Sequence, residues 1–118
     1  AQGLVTGKFT LENRPTDNRS GNNLFSDPTY GLALQAVELL VPIAERYGAN
    51  TGQLALAWLI AQPGVTSPIV GSRNAAQIAD IAKAAAIELS EADTAEISRI
   101  AQPVLDSQPE GKINPWAD

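Results

Sequence analysis

Apolar positions in this chain recur mostly at helical spacing, with strand-like alternation confined to two short stretches. Ala33, Val37, Leu40, Val41, Ala44 and Tyr47 fall three or four residues apart, which predicts a helix over 28–47 with one buried face. Asp27-Pro28 suits its start, because the carboxylate can cap free amides and a proline at the first position has none to satisfy. Gly48 suits its end, and Pro42 should kink or split the run by removing a hydrogen bond from its interior. Residues 51–61 are apolar on nearly every side, so a helix capped by Asn50 or Thr51 and stopped by Pro63-Gly64 should be buried from several directions.

Two segments read as strand. Gly3-Leu4-Val5-Thr6-Gly7 looks like the tail of one running into a turn, and the β-branched run from Val65 to Val70 looks like a second despite Pro68. Between them, Glu12 to Asp27 is a polar loop of unusual length for a compact domain, a kind that is often functional. Gly71-Ser72-Arg73-Asn74 then turns into a third helix over 75–86, and Ser90 with Asp93 resembles a capping box opening a fourth from about 91 to 101. Pro103, Pro109 and Pro115 mark an irregular tail over 102–118. Alternating strand and helix argues for parallel α/β architecture, yet two short strands cannot make a covered sheet without neighbours. The expectation is a part of a larger α/β domain.

Composition narrows the chemistry. The 118 residues include no cysteine and no histidine, which removes disulfides, Cys/His zinc sites and every triad with an imidazole base. No metal site is expected. The net charge of -5 resides wholly in residues 87–118, where seven acids face Arg99 and Lys112. The first 86 residues are balanced and carry no basic stripe, so no nucleic-acid partner is expected. The longest apolar run, Leu54 to Ala61, is far short of a membrane span, and no secretory signal is visible, so the chain is expected to be soluble and cytoplasmic.

The Gly71 turn carries the most chemical information. A glycine before a helix start lets backbone approach a ligand, first-turn amides attract anions, and Arg73 can grip phosphate oxygens in bidentate fashion. Gln77 and Asp80 lie three residues apart on one helix face, where an amide and a carboxylate can bond to a base or sugar. The same residues also suit an ordinary strand-to-helix turn with Ser72 or Asn74 as cap and Arg73 solvated.

Three stretches decide between these by resemblance: Gly3-Leu4-Val5-Thr6-Gly7-Lys8-Phe9, Gln53-Leu54-Ala55-Leu56-Ala57-Trp58-Leu59, and Pro68-Ile69-Val70-Gly71-Ser72-Arg73-Asn74 followed by Gln77. In this order and spacing they closely resemble the C-terminal part of aldo-keto reductases, in the branch of bacterial reductases and potassium-channel beta subunits. The resemblance implies a (β/α)8 barrel, of which residues 1–101 would be the portion from about strand seven through strand eight and the helices that follow. It implies that Gly71, Ser72, Arg73, Gln77 and Asp80 face the adenosine 2′-phosphate and adenine of NADP(H). It also places Ala1, Gln2 and Lys8 near the pyrophosphate, with Arg19, in preference to Arg14, as the loop arginine closing over the cofactor. The family commonly has Glu-Asn where this chain has Asp80-Ile81, so the asparagine contact to adenine is not carried over. The catalytic residues of the family sit on earlier strands, and Tyr30 and Tyr47 match none of them. They read as packing residues, as does Trp58 in the core, while Trp116 in the tail has a substrate-lining alternative.

The function implied is the NADP(H)-binding segment of an enzyme that reduces a small-molecule carbonyl, active only with the remainder of the barrel as partner. A competing reading is a non-catalytic helical interaction module that uses the apolar faces of 28–47 and 51–61 to bind another protein.

Overall fold

A computed structural model describes residues 1–109, so the expectation for Trp116 lies outside the described residues. Four α-helices follow one another among the described residues: α1 (Thr29–Arg46), α2 (Thr51–Ile60), α3 (Ala75–Ala82) and α4 (Glu91–Asp106). Short 3-10 turns at Leu4–Thr6, Asn18–Gly21, Asn23–Phe25 and Lys83–Ala86 connect or extend them.

α1 is the spine, and it is unbroken: Pro42 lies inside it without splitting it. Its N-terminal half contributes Tyr30 and Ala33 to one apolar cluster, completed by Leu4 and Phe25. Its C-terminal half contributes Leu40, Ile43 and Ala44 to another, with Leu54 from α2 and Ile97 from α4. α4 runs antiparallel along α1, so Val104 packs on the first cluster and Ile97 in the second. Both ends of this pair are pinned. Ser107 Oγ donates to Thr29 Oγ1 at 2.9 Å, and at the other end Arg46 pairs with Asp93, whose carboxylate also accepts the Tyr47 hydroxyl at 2.5 Å.

The helix ends are where residue chemistry acts most directly. Gly48, at φ 62°, closes α1 in a Schellman arrangement: its amide donates to Glu45 O and the Ala49 amide to Ala44 O, both at 3.0 Å. Asn50 caps α2 in a reciprocal box with Gln53, and Ser90 caps α4 by accepting from the Asp93 amide at 3.1 Å. Asp27 does not cap α1; the Arg14 guanidinium takes both its carboxylate oxygens, at 3.0 and 3.2 Å.

Three expectations are corrected. Neither Gly3–Gly7 nor Val65–Val70 is a strand, and no strand occurs among the described residues. A strand exists through ladder hydrogen bonds to a neighbouring strand, and these two find none among the described residues. α4 continues through Pro103 to Asp106, beyond the expected end at 101, because Val104 and Ser107 anchor its last turns on α1. The helix over 75–86 tightens into a 3-10 turn at Lys83. Tyr30 and Tyr47 hold structural bonds: the Tyr30 hydroxyl, fully buried, donates to Thr10 O at 2.7 Å. α2 buries Leu54 and Ala57, while Leu59 and Ile60 remain exposed.

Candidate functional site

The expected cofactor residues form two groups far apart in sequence. In the first, the left-handed turn at Gln2 and Gly3, with φ of 50° and 86°, starts the chain into its 3-10 turn. Ala1 O accepts the Leu4 amide at 2.9 Å, so Ala1 acts here through its backbone. Gln2 O accepts from Arg19 Nη1 at 3.3 Å, whereas Gln2 Oε1 is buried with no hydrogen-bond partner. A Cβ on Gly3 would stand 3.0 Å from Lys8 Nζ and 3.7 Å from Arg19 Nη1, so the glycine is what lets the Lys8 ammonium lie against this turn with Arg19 beside it. Lys8 and Arg19 both lie against the Phe9 ring, at 4.9 and 5.5 Å from its centre.

Asp17 holds Arg19 in place. Its carboxylate accepts from Arg19 Nε at 2.8 Å and from Nη2 at 2.5 Å. These bonds lower the Asp17 carboxyl to about 2, and the charge of Arg73 adds to the same shift. The Arg73 charge is the smallest of the contributions to that lowering, after the hydrogen bonds and charge of Arg19 itself. Arg14 belongs elsewhere: it is paired with Asp27 and stacked 4.4 Å over the Tyr30 ring.

The second group is the turn before α3. Gly71, Ser72, Arg73 and Gln77 are exposed, and a Cβ on Gly71 would meet nothing within 4 Å. Asn74 caps α3 by accepting the Gln77 amide at 2.9 Å, and Gln77 Oε1 accepts the Arg73 amide at 2.7 Å, so Gln77 fixes the backbone beneath the Arg73 side chain. Asp80 is engaged with α2. Its carboxylate accepts from Gln53 Nε2 at 2.9 Å and from Asn50 Nδ2 at 3.2 Å. Ile81 follows, half-buried.

Each group offers cationic N–H donors of the kind that a phosphate accepts: Lys8 and Arg19 beside Gly3 in the first, Arg73 in the second. Among the described residues no group of carboxylates fit to hold a metal ion occurs, and no helix is long and apolar enough to cross a membrane.

Sequence reading missed Asp17, and it named Asn50 only as a helix cap and Gln53 only within a motif, with no part in the site for either. The Asn50-to-Gln53 spacing is itself a capping-box signature, so the pair was findable, but its bond to Asp80 27 residues away was not.

Comparison with known proteins decides the family. The model of the aldo/keto reductase family matches residues 1–102. The chain belongs to the aldo/keto reductase family. It is 42% identical over 90 residues to an uncharacterized oxidoreductase of Mycobacterium tuberculosis, covering 76% of this chain and 28% of that protein. A probable voltage-gated potassium channel subunit beta of Oryza sativa subsp. japonica is 36% identical over 88 residues, covering 71% of this chain and 27% of the other. An L-glyceraldehyde 3-phosphate reductase of Escherichia coli O157:H7 is 33% identical over 122 residues, covering 98% of this chain and 33% of the enzyme. The chain thus spans about a third or less of the length of these relatives. An aldo/keto reductase fold is a (β/α)8 barrel, and the described residues, helical and without strands, are consistent with part of one.

Proposed function

We propose that this chain is the NADP(H)-binding C-terminal portion of an aldo-keto reductase barrel, about strands seven and eight with the helices after them, in an enzyme that reduces a small-molecule carbonyl to an alcohol. The observation that carries this reading is the Arg73 turn, ordered by Gln77 and Asn74, in a chain whose residues 1–102 match the aldo/keto reductase family. A phosphate-bearing ligand is the kind of group that an arginine on a helix-start turn can hold in bidentate fashion.

When bound, the nicotinamide supplies the hydride. The residues of this chain bind and orient it. Arg73, whose backbone amide is held by Gln77, would take the 2′-phosphate; Lys8 and Arg19, side by side at Gly3, would take the pyrophosphate. Remote binding energy of this sort holds the reacting ring in place for chemistry done elsewhere. The tyrosine hydroxyls of this chain are committed to Thr10 and Asp93, so the proton donor would come from the remainder of the barrel, the partner that this reading requires.

Titration of NADPH into a sample containing the complete barrel, followed by tryptophan quenching, tests the reading. Saturable binding that Arg73→Ala weakens by about tenfold or more supports it, since a charged phosphate contact contributes roughly 1.5–3 kcal/mol. Binding that is absent, or indifferent to Arg73, rejects it. The interaction-module reading draws on exposed Leu39 and Val41 of α1, and it predicts the indifferent outcome.

A further inference from the structure

The strength of the tie between Asp80 and α2 bears on how a nucleotide would be read. Gln53 is only 6% exposed, and both ends of its planar amide are committed. Its Oε1 accepts the Asn50 amide at 3.0 Å, and its Nε2 donates to the Asp80 carbonyl at 2.8 Å and to Asp80 Oδ1 at 2.9 Å. Asn50 Nδ2 adds a bond to Asp80 Oδ2 at 3.2 Å. An amide fixed at one end cannot follow its partner, so Gln53 sets where Asp80 sits. α3 buries no residue of its own, and Ile78 on it is 58% exposed. The helix takes its placement from this polar clamp together with the turn that follows it, where Ala84 is buried. Gln77 lies one helical turn and Arg73 two turns before Asp80, so the clamp also sets the placement of the Arg73 turn.

We infer that Asp80 is a positioning residue that ties the Arg73 turn to the N-terminus of α2, and that its carboxylate does not read the base of the bound nucleotide. The inference rests on the reading of this turn as an NADP(H) site. It has a consequence for specificity: discrimination passes from the base to the 2′-phosphate. A carboxylate that read adenine would accept its exocyclic amine and would repel the carbonyl that hypoxanthine carries at the same ring position.

The test uses the protein with its complete barrel and two readouts. The first is the dissociation constant for NADPH and for its hypoxanthine analogue; the second is amide hydrogen exchange across 71–82 in nucleotide-free protein. Gln53→Glu is the informative variant, because it keeps the acceptor that caps α2 and turns only the donor facing Asp80 into a repelling carboxylate. The expected result is that NADPH and the hypoxanthine analogue bind within about threefold of each other, and that Asp80→Asn leaves this ratio unchanged, since no hydrogen bond to the base is at stake. Gln53→Glu weakens NADPH by about tenfold and speeds exchange at Arg73 to Gln77; adding Asp80→Asn recovers part of both, because the new amide donates to the new carboxylate while the backbone carbonyl of residue 80 still faces it. A preference for adenine of about tenfold or more that Asp80→Asn abolishes overturns the inference, that being the worth of a charge-assisted bond to the base. Unchanged exchange in Gln53→Glu overturns it equally. Failure of NADPH to bind the unaltered protein rejects the cofactor reading alone, and the exchange measurement then still decides the tether.

Discussion

Two regions of this chain solve the problem of staying folded in different ways. The α1–α2–α4 unit has two apolar clusters, pinned ends and satisfied caps, and its helices bury Tyr30 and Leu54 completely. The stretch from 61 to 83, which includes α3 and the Arg73 turn, buries no residue, and Ile69 within it is fully exposed. The first region is held by removal of apolar surface from water, the second by a handful of directional bonds at Asp80. The difference shows that the part of the chain bearing the Arg73 turn is the part least able to hold itself in place. A barrel that supplied neighbours for 65–70 would remove that deficit.

The largest expected effect lies in the first region. Leu54→Ala empties a fully buried site between α1, α2 and α4 and is expected to lower stability by about 2–5 kcal/mol, measured by urea denaturation followed by circular dichroism. A loss below about 1 kcal/mol would break the comparison, because it would mean that this cluster contributes no more than an exposed position.

Tyr30→Phe is expected to cost about 1 kcal/mol by the same measurement, since it leaves the ring in its cluster and removes only the bond to Thr10 O. The loop that carries Lys8 should then exchange its amides faster, as Thr10 loses its link to α1.

The α1–α4 unit should also respond to acid. The Tyr47 hydroxyl, and after it the Arg46 guanidinium, holds the Asp93 carboxyl below its usual value of 3.8. A carboxylate with a lowered folded pKa contributes stability that is fully present above its unfolded value and is lost as pH falls through the folded one. The urea midpoint should therefore fall as pH drops below about 4, and Asp93→Asn should flatten that dependence. Asp17, lowered from 3.8 to about 2 by its bonds to Arg19, responds over the same window, and its protonation releases Arg19 without touching either apolar cluster. Melting and loosening of the loop are separable by following both circular dichroism and amide exchange at Arg19.

How much of this was legible in the sequence follows the same division. Helical spacing from Ala33 to Tyr47 marked α1, and the caps at Gly48, Asn50 and Ser90 were visible because a cap is a local event between residues a few positions apart. Asp27 misled because Arg14, distant in sequence, takes its carboxylate. Pro103 misled because long-range packing of Val104 on the Ala33 cluster outweighs a local helix breaker. The run from Val65 to Val70 has the β-branched composition of a strand, but composition gives a preference and pairing requires a neighbour. Of the candidate site, Arg19 and Arg73 were named from motif and resemblance, whereas the acid that orients Arg19 and the amide that clamps Asp80 emerge only from folding.

The smallest expected effect is the one that sharpens the comparison most. Ile69→Ala in this chain should change stability by no more than about 0.5 kcal/mol, because the side chain already lies in water and its removal uncovers nothing. The same substitution in a protein with the complete barrel is expected to cost about 2–5 kcal/mol if a neighbouring strand covers it, the range for emptying a packed site. The gap between the two measurements reads out the burial that the rest of a barrel would supply to the segment before Arg73. Equal, small effects in both would place 65–70 on an outer surface and leave the Asp80 clamp as the main attachment of the Arg73 turn in either setting.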